Sequence, residues 1–247
     1  GEMLLVADAT QDIYGTANSW TDAKMIGAGF RGDWVALEIS YRLPSLAIEY
    51  SRKFAEEFLP KDTSGSASMT VNLPVADLSL AKQRELFPGT LKWVHTKMDF
   101  VAQVCREELF SLVIDAEPDL VSIPDVIFLS DTNERGIDVV SELGDKGVKS
   151  CHTFSDDRRE SRRKKMGFYM GDARIKATTL HSFKGWESRA LVIFIGQSVD
   201  KKSLALIYTG LTRLKRHEDG SYLTIVSCAD ELIPYGKTWP KYVEKMA

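Results

Sequence analysis

Short apolar runs rich in β-branched residues recur along the chain, and most are separated by stretches of helical periodicity. MLLVA (3–7), WVALEI (34–39), DVIFLS (125–130), VKSCHTF (148–154), ARIKATT (173–179), RALVIFI (189–195) and YLTIVS (222–227) predict strands. Helices are predicted over 45–59, 92–114, 133–144, 155–166 and 201–215. Strands joined through helices are parallel neighbours, and a parallel sheet needs both faces covered. The alternation therefore predicts an α/β fold: a mostly parallel sheet flanked by helices.

One region breaks that rhythm. KDTSGSAS (61–68) is a Gly/Ser-rich connector, and LKWVHTKMDFVAQVCREELFSLVID (91–115) has the apolar spacing of one long helix. A mostly helical insertion over about 60–120 is the expectation. At 247 residues the chain can hold one large domain with such an appendage.

A net charge of −3 excludes a globally basic nucleic-acid binder, so any such surface must be local. Cys105, Cys151 and Cys228 are odd in number and far apart in sequence, which fits neither a metal-ligand spacing nor a disulfide framework and favours a reducing, cytoplasmic setting. No apolar run approaches the ~20 residues that span a bilayer. The opening GEMLLVAD enters a strand almost at once, which suggests a piece of something longer.

Two stretches imitate nucleotide-binding motifs. ELIPYGKT (231–238) ends like a triphosphate loop, but Glu231 stands where the first glycine is needed and Pro234 removes a backbone N–H from a loop that must donate them. LVIDAE (112–117) resembles a strand ending in magnesium-holding acids, yet its apolar residues continue a helical pattern from Phe100 and Val104.

Four other stretches carry chemistry-bearing residues. VADATQDIYG (6–15) places Gln11 just past a strand, where α/β proteins gather ligand groups, although a capped turn would look the same. LEISYRLP (37–44) puts Tyr41 and Arg42 after a strand; arginine offers a planar fork of donors to phosphate, and tyrosine a stacking face. TTLHSFKGWES (178–188) is a polar bridge between two buried strands, and a plain surface loop is its simplest reading. LALIYTGLTRLKRHEDG (204–220) ends in Thr212, Arg213, Lys215 and Arg216, cations that a helix C-terminus favours in any case.

In order and spacing the four together resemble the C-terminal part of superfamily 1 DNA helicases of the UvrD/Rep/PcrA type. VADATQDIY resembles motif III, LEISYRLP motif IV, IKATTLHSFKGWES motif V and IYTGLTRLKR motif VI. The resemblance implies a RecA-like lobe with a P-loop NTPase-type fold: residues 1–30 would end the first helicase lobe and the linker, and 31–247 would form the second (2A) lobe. It further implies that Arg42 and Arg213 reach the γ-phosphate as arginine fingers, Gln11 senses it, Tyr41 stacks near adenine, and Gly185 and Glu187 meet the nucleotide, Glu187 at the ribose. Thr179, His181, Lys184 and Trp186 would face DNA. ATP and Mg²⁺ are implied for the full-length protein, with none expected on this piece; single-stranded or partly duplex DNA and the missing N-terminal lobe are the implied partners. Trp186, Ser188, Gly210, Leu214 and Ala7 depart from the usual residues of these motifs.

DDRRESRRKK (156–165) carries six cations against three acids and is either a phosphate contact or a solvated helix face; the dilution by acids favours the solvated face. Trp93, on helical spacing, reads as core rather than as a base-stacking platform. Two rivals stand beside the helicase reading: a degenerate lobe serving as an interaction module without ATPase activity, and a stand-alone nucleotide enzyme using residues 236–238.

Overall fold

Every residue of the run ALVIFI is buried, as is every residue of VIFLS. Strands covered on both faces belong at the centre of a parallel sheet. The computed structural model describes residues 43–59, 87–115, 121–197 and 199–245. The predicted strands at 3–7 and 34–39, the division at residue 30, the 61–68 connector, and Gln11, Tyr41 and Arg42 lie outside the described residues.

The described strands are β1 (Gly89–Thr96), β2 (Val126–Ser130), β3 (Ser150–His152), β4 (Ile175–Thr179), β5 (Ala190–Ile195), β6 (Ser221–Ser227) and β7 (Lys241–Lys245). They form one sheet in the order β3-β4-β2-β5-β6-β1-β7, and every neighbouring pair is parallel. The helices are α1 (Ser45–Phe58), α2 (Val101–Phe110), α3 (Asn133–Asp145), α4 (Arg158–Met166), α5 (Leu180–Phe183), α6 (Lys201–Leu211) and α7 (Ile233–Gly236). Burial follows strand order: the border strands β3 and β7 have no fully buried residue, unlike the interior ones.

Side chains alternate between the faces with the period of two that a strand imposes. On β5, Leu191, Ile193 and Ile195 pack with Phe54 of α1 and with Leu180, Leu206 and Leu211 of α5 and α6. Ala190, Val192 and Phe194 pack the other way, with Val104 and Leu109 of α2 and Val139 and Leu143 of α3. The outcome is the expected α/β architecture of a parallel sheet between helical layers.

The helix predicted over 92–114 is a correction. Residues 89–96 are β1, between β6 and β7; a 3₁₀ turn at Met98–Phe100 then leads into α2, which ends in a π-helical turn at Ser111–Asp115. Trp93 and Val94 are both wholly buried but belong to opposite cores, as adjacent residues of a strand must. A strand buried on both faces shows no alternation, so its apolar positions can mimic helical spacing. Residues 89–115 are thus a strand and helix of the sheet itself rather than part of an inserted helical unit.

The second correction is at the other end. No strand is predicted beyond 227, yet β7 forms past Thr238 and pairs with β1 from Lys92↔Lys241 to Thr96↔Lys245. Gly236, the glycine of the imitation triphosphate loop, sits against Trp93: a Cβ there would lie 2.6 Å from the indole. Packing explains that glycine. Trp93, Tyr235 and Trp239 form an edge-to-face cluster, and the Tyr235 hydroxyl donates to the Tyr50 carbonyl at 2.8 Å, tying α7 to α1. All three cysteines are free thiols. Among the described residues no helix is long and apolar enough to cross a membrane.

Candidate functional site

Thr179 ends β4 and caps α5: its Oγ1 accepts from the Ser182 amide at 3.2 Å. Threonine suits that position because its oxygen satisfies one of the orphan donors of a helix start. Leu180 and Phe183 turn into the core, which leaves His181 and Lys184 exposed. Gly185 then adopts φ +96°, a conformation nearly reserved for glycine, and turns the chain toward β5. Trp186 follows, 46% exposed, its amide donating to the Phe183 carbonyl at 2.9 Å. Residues 178–188 therefore run from the carboxyl end of β4 to the amino end of β5.

α6 arrives at that same amino edge. Asp200 caps its start, accepting from the amides of Lys202 and Ser203 at 2.9 Å each. Gly210 faces Leu180 and Ile193, where a Cβ would stand 2.8 Å and 3.2 Å from their methyl carbons. The missing side chain at 210 lets α6 approach α5 and β5 closely. Past its last turn the chain forms a parallel bridge between Leu214 and Ser188. The Ser188 amide donates to the Arg213 carbonyl at 3.2 Å, and the Lys215 amide donates to the Ser188 carbonyl at 2.8 Å. Glu187 and Lys215 approach to 4.0 Å.

Arg213 is 5% exposed. Its Nε donates to the Thr209 carbonyl at 3.1 Å and its Nη2 to Thr212 Oγ1 at 3.2 Å, so the guanidinium lies against the end of its own helix. Below the bridge, Arg189 donates to Asp125 Oδ2 through Nε at 2.9 Å and Nη2 at 2.7 Å, and Ser188 Oγ donates to the Asp125 carbonyl at 2.7 Å. Burial works to raise the Asp125 carboxyl, but hydrogen bonds from Ser122 and Arg189 outweigh it and hold the group below its ordinary value. The Asp125–Arg189 anchor had no sequence signal, since its partners are far apart in the chain and meet only through the pairing of β2 with β5.

The sequence-predicted residues thus fall at two places. Glu187, the Arg213 backbone and Lys215 meet at the amino edge of β5; Thr179, His181 and Lys184 lie at the carboxyl end of β4, with Gly185 and Trp186 between the two. Partial burial, and then the charge of Lys165 on α4, push the His181 imidazole below its ordinary value. The amino edge thus gathers an ammonium and a carboxylate beside the Arg213 backbone, while the Arg213 guanidinium stays tucked against the end of α6. Among the described residues no group of three or more His, Cys, Asp or Glu side chains is arranged to hold a metal ion.

No family model matches the chain, and no curated protein sequence matches it. Among solved structures it is similar to the C-terminal domain of a possible DNA helicase from Lactobacillus plantarum WCFS1, at 15% identity and a TM-score of 0.45 over 83% of this chain and 99% of that one. It is also similar to the C-terminal domain of the DEAD-box protein Dbp5, at 15% identity and a TM-score of 0.40, with 64% and 89% of the two chains covered. A third similarity is to an arterivirus nonstructural protein 10 helicase, at 9% identity and a TM-score of 0.36, over 64% of this chain and 34% of that one.

Proposed function

We propose that this chain is the second RecA-like lobe of an ATP-dependent superfamily 1 DNA helicase or translocase of the UvrD/Rep/PcrA kind. The observation that carries the reading is the backbone bridge at Ser188, which joins the stretch resembling motif V to the stretch resembling motif VI on one edge of the sheet. The bridge brings the Arg213 backbone next to Ser188 and its neighbour Glu187, although they are well separated in sequence, which supports a shared nucleotide for the two. Phosphoryl transfer asks a protein mainly for positioning and for positive charge where negative charge develops. Arg213, joined by Arg42, supplies that charge to an ATP·Mg²⁺ bound by the companion lobe, with Gln11 as sensor and Tyr41 at the base. Thr179, His181, Lys184 and Trp186 carry the nucleotide state to single-stranded DNA. Closure of the two lobes then depends on an intact γ-phosphate, and hydrolysis releases them.

The test is Arg213→Ala in the full-length protein. An arginine finger contributes about 10³–10⁵ in rate. DNA-stimulated ATP hydrolysis is therefore expected to fall to background while ATP binding persists, and wild-type turnover in the variant would overturn the reading. One observation favours a second reading, the degenerate interaction module: the Arg213 guanidinium donates to its own helix end. That reading expects the wild-type full-length protein itself to show no DNA-stimulated hydrolysis.

A further inference from the structure

Helix α4 buries none of its nine residues. It is attached by one side only: Ser161 Oγ donates to the Thr153 carbonyl at 3.3 Å, Lys164 Nζ donates to the Phe154 carbonyl at 2.9 Å, and Glu160 takes hydrogen from Ser155 Oγ. Those attachments lie just past β3, whose neighbour β4 ends in Thr179; Thr153 and Thr178 share a hydroxyl contact of 2.6 Å. The helix therefore sits over the carboxyl edge of the sheet, beside the loop that carries His181, and Lys165 is near enough to His181 for its charge to be felt there.

At 3.6 residues per turn, Glu160, Ser161 and Lys164 occupy the attached side, and Arg158, Arg159, Arg162, Arg163 and Lys165 spread over about 160° of the opposite side. All five are exposed. The helix's one internal acid, Glu160, is taken up by Lys164 at 3.2 Å and by Ser155, while Asp157 caps the first turn through the amides of Arg159 and Glu160. Among the described residues none of the five outward cations makes an ion pair or a side-chain hydrogen bond. Arg158 faces Arg162 and Arg159 faces Arg163 one turn on, arrangements that destabilise a helix by like-charge repulsion. A solvated face would mix its signs; this one segregates them, with the acids on the attached side.

Met166, the last residue of α4, and Tyr169 just beyond it are 83% and 68% exposed, and Trp186 stands 46% exposed on the neighbouring loop. Cations interleaved with exposed aromatic and thioether groups suit a strand that offers phosphates on one side and unpaired bases on the other. We propose that the outward face of α4 is a phosphate-backbone contact for single-stranded nucleic acid, continuous with the His181–Trp186 loop. The partner class rests on the helicase-lobe reading; the surface does not.

The test measures binding of a fluorescein-labelled oligo-dT strand to the 247-residue protein by anisotropy, across a salt series. The variant replaces Arg158, Arg159, Arg162 and Arg163 with glutamine, and a control variant replaces Lys201 and Lys202, exposed on α6. Because α4 buries nothing, the fourfold variant is expected to keep the wild-type melting temperature. Its affinity is expected to fall at least about tenfold, and its slope of log K against log salt to flatten by about 0.7 for each phosphate that is no longer neutralised; the control should keep both. A folded variant with wild-type affinity and slope would overturn the surface and leave the helicase-lobe reading standing, as would a wild-type protein that binds no oligonucleotide at low salt. Equal displacement of the strand by polyglutamate would point to an acidic protein partner and overturn it too. Loss or retention of ATPase in Arg213→Ala bears only on the lobe reading.

Discussion

Ser188 and Arg213 are joined amide to carbonyl at 3.2 Å, and the carbonyl of Ser188 in turn receives the amide of Lys215 at 2.8 Å. Two segments with separate chemical inventories are thereby locked in register at the amino edge of β5. Proline at 188 lacks the N–H that makes the first bond, whereas alanine loses only the Oγ bond to Asp125. Ser188→Ala is expected to cost about 1 kcal/mol in urea unfolding. Ser188→Pro should cost more, and, on the helicase-lobe proposal, uncouple ATP hydrolysis from DNA in the full-length protein. Equal effects of the two substitutions would argue against the bridge as a structural lock between the two segments.

A buried ion pair fastens α2 to the sheet. Lys92 Nζ meets both Glu108 oxygens, at 2.7 and 2.5 Å, and Glu108 also receives Lys245 at 3.1 Å from the border strand. Glu108 is 1% exposed. Its removal strands a buried ammonium, so Glu108→Ala is expected to destabilise by about 3–5 kcal/mol. The double variant Lys92→Met/Glu108→Leu should lose much less. Chemical denaturation of both variants distinguishes this pairing from a surface contact, for which the losses would be small and alike.

Gly236 and Gly144 give opposite expectations for one substitution. A Cβ at 236 meets the buried Trp93 indole at 2.6 Å, while at 144, near the end of α3, nothing lies within 4 Å. Gly236→Ala should destabilise by about 1–3 kcal/mol through overpacking, and Gly144→Ala should stabilise by up to about 1 kcal/mol through helix propensity. Thermal unfolding reads both. A neutral Gly236→Ala would remove the packing explanation of the glycine in the Gly-Lys-Thr run.

The thiols make stability fall in alkali. Burial pushes the Cys228 thiol up to about 12, and raises Cys105 well above its ordinary value as well. The unfolded chain releases these protons near pH 9 while the folded one keeps them, so stability declines as pH climbs from about 9 toward 12. Cys228→Ala should flatten that decline, by at most about 1.4 kcal/mol per pH unit. Urea midpoints under reducing conditions at about pH 8, 9 and 10 measure it, and parallel declines in both proteins would contradict the assignment.

The interior of the sheet was legible wherever a buried run was bounded by turn residues, as at 125–130, 189–195 and 222–227. β1 was not, because Leu91, Trp93, Val94 and the α2 residues beyond them share a spacing that either a helix or a doubly buried strand satisfies. β7 was hidden for a different reason: Lys241, Glu244 and Lys245 are polar, and a border strand takes much of its stability from backbone pairing that leaves no apolar trace. At the site, the residue types of 178–188 and 204–216 were visible in order, but the bond between Ser188 and Arg213 was not, since register between distant segments is a property of the folded sheet. Charge balance along 156–165 suggested a merely solvated helix; the fold sorts those same charges by side.

Strand β1 precedes the other described strands in the chain and is flanked by the two last of them, β6 and β7. Its backbone donors and acceptors have no sheet partner until residues 221–245 have left the ribosome, so the most tryptophan-rich part of the core closes last. Long-range parallel pairing of this kind is slow and exposes apolar surface while it waits. A nascent chain halted before residue 221 would expose the apolar faces of β1 with neither described neighbour in place, a state prone to aggregation.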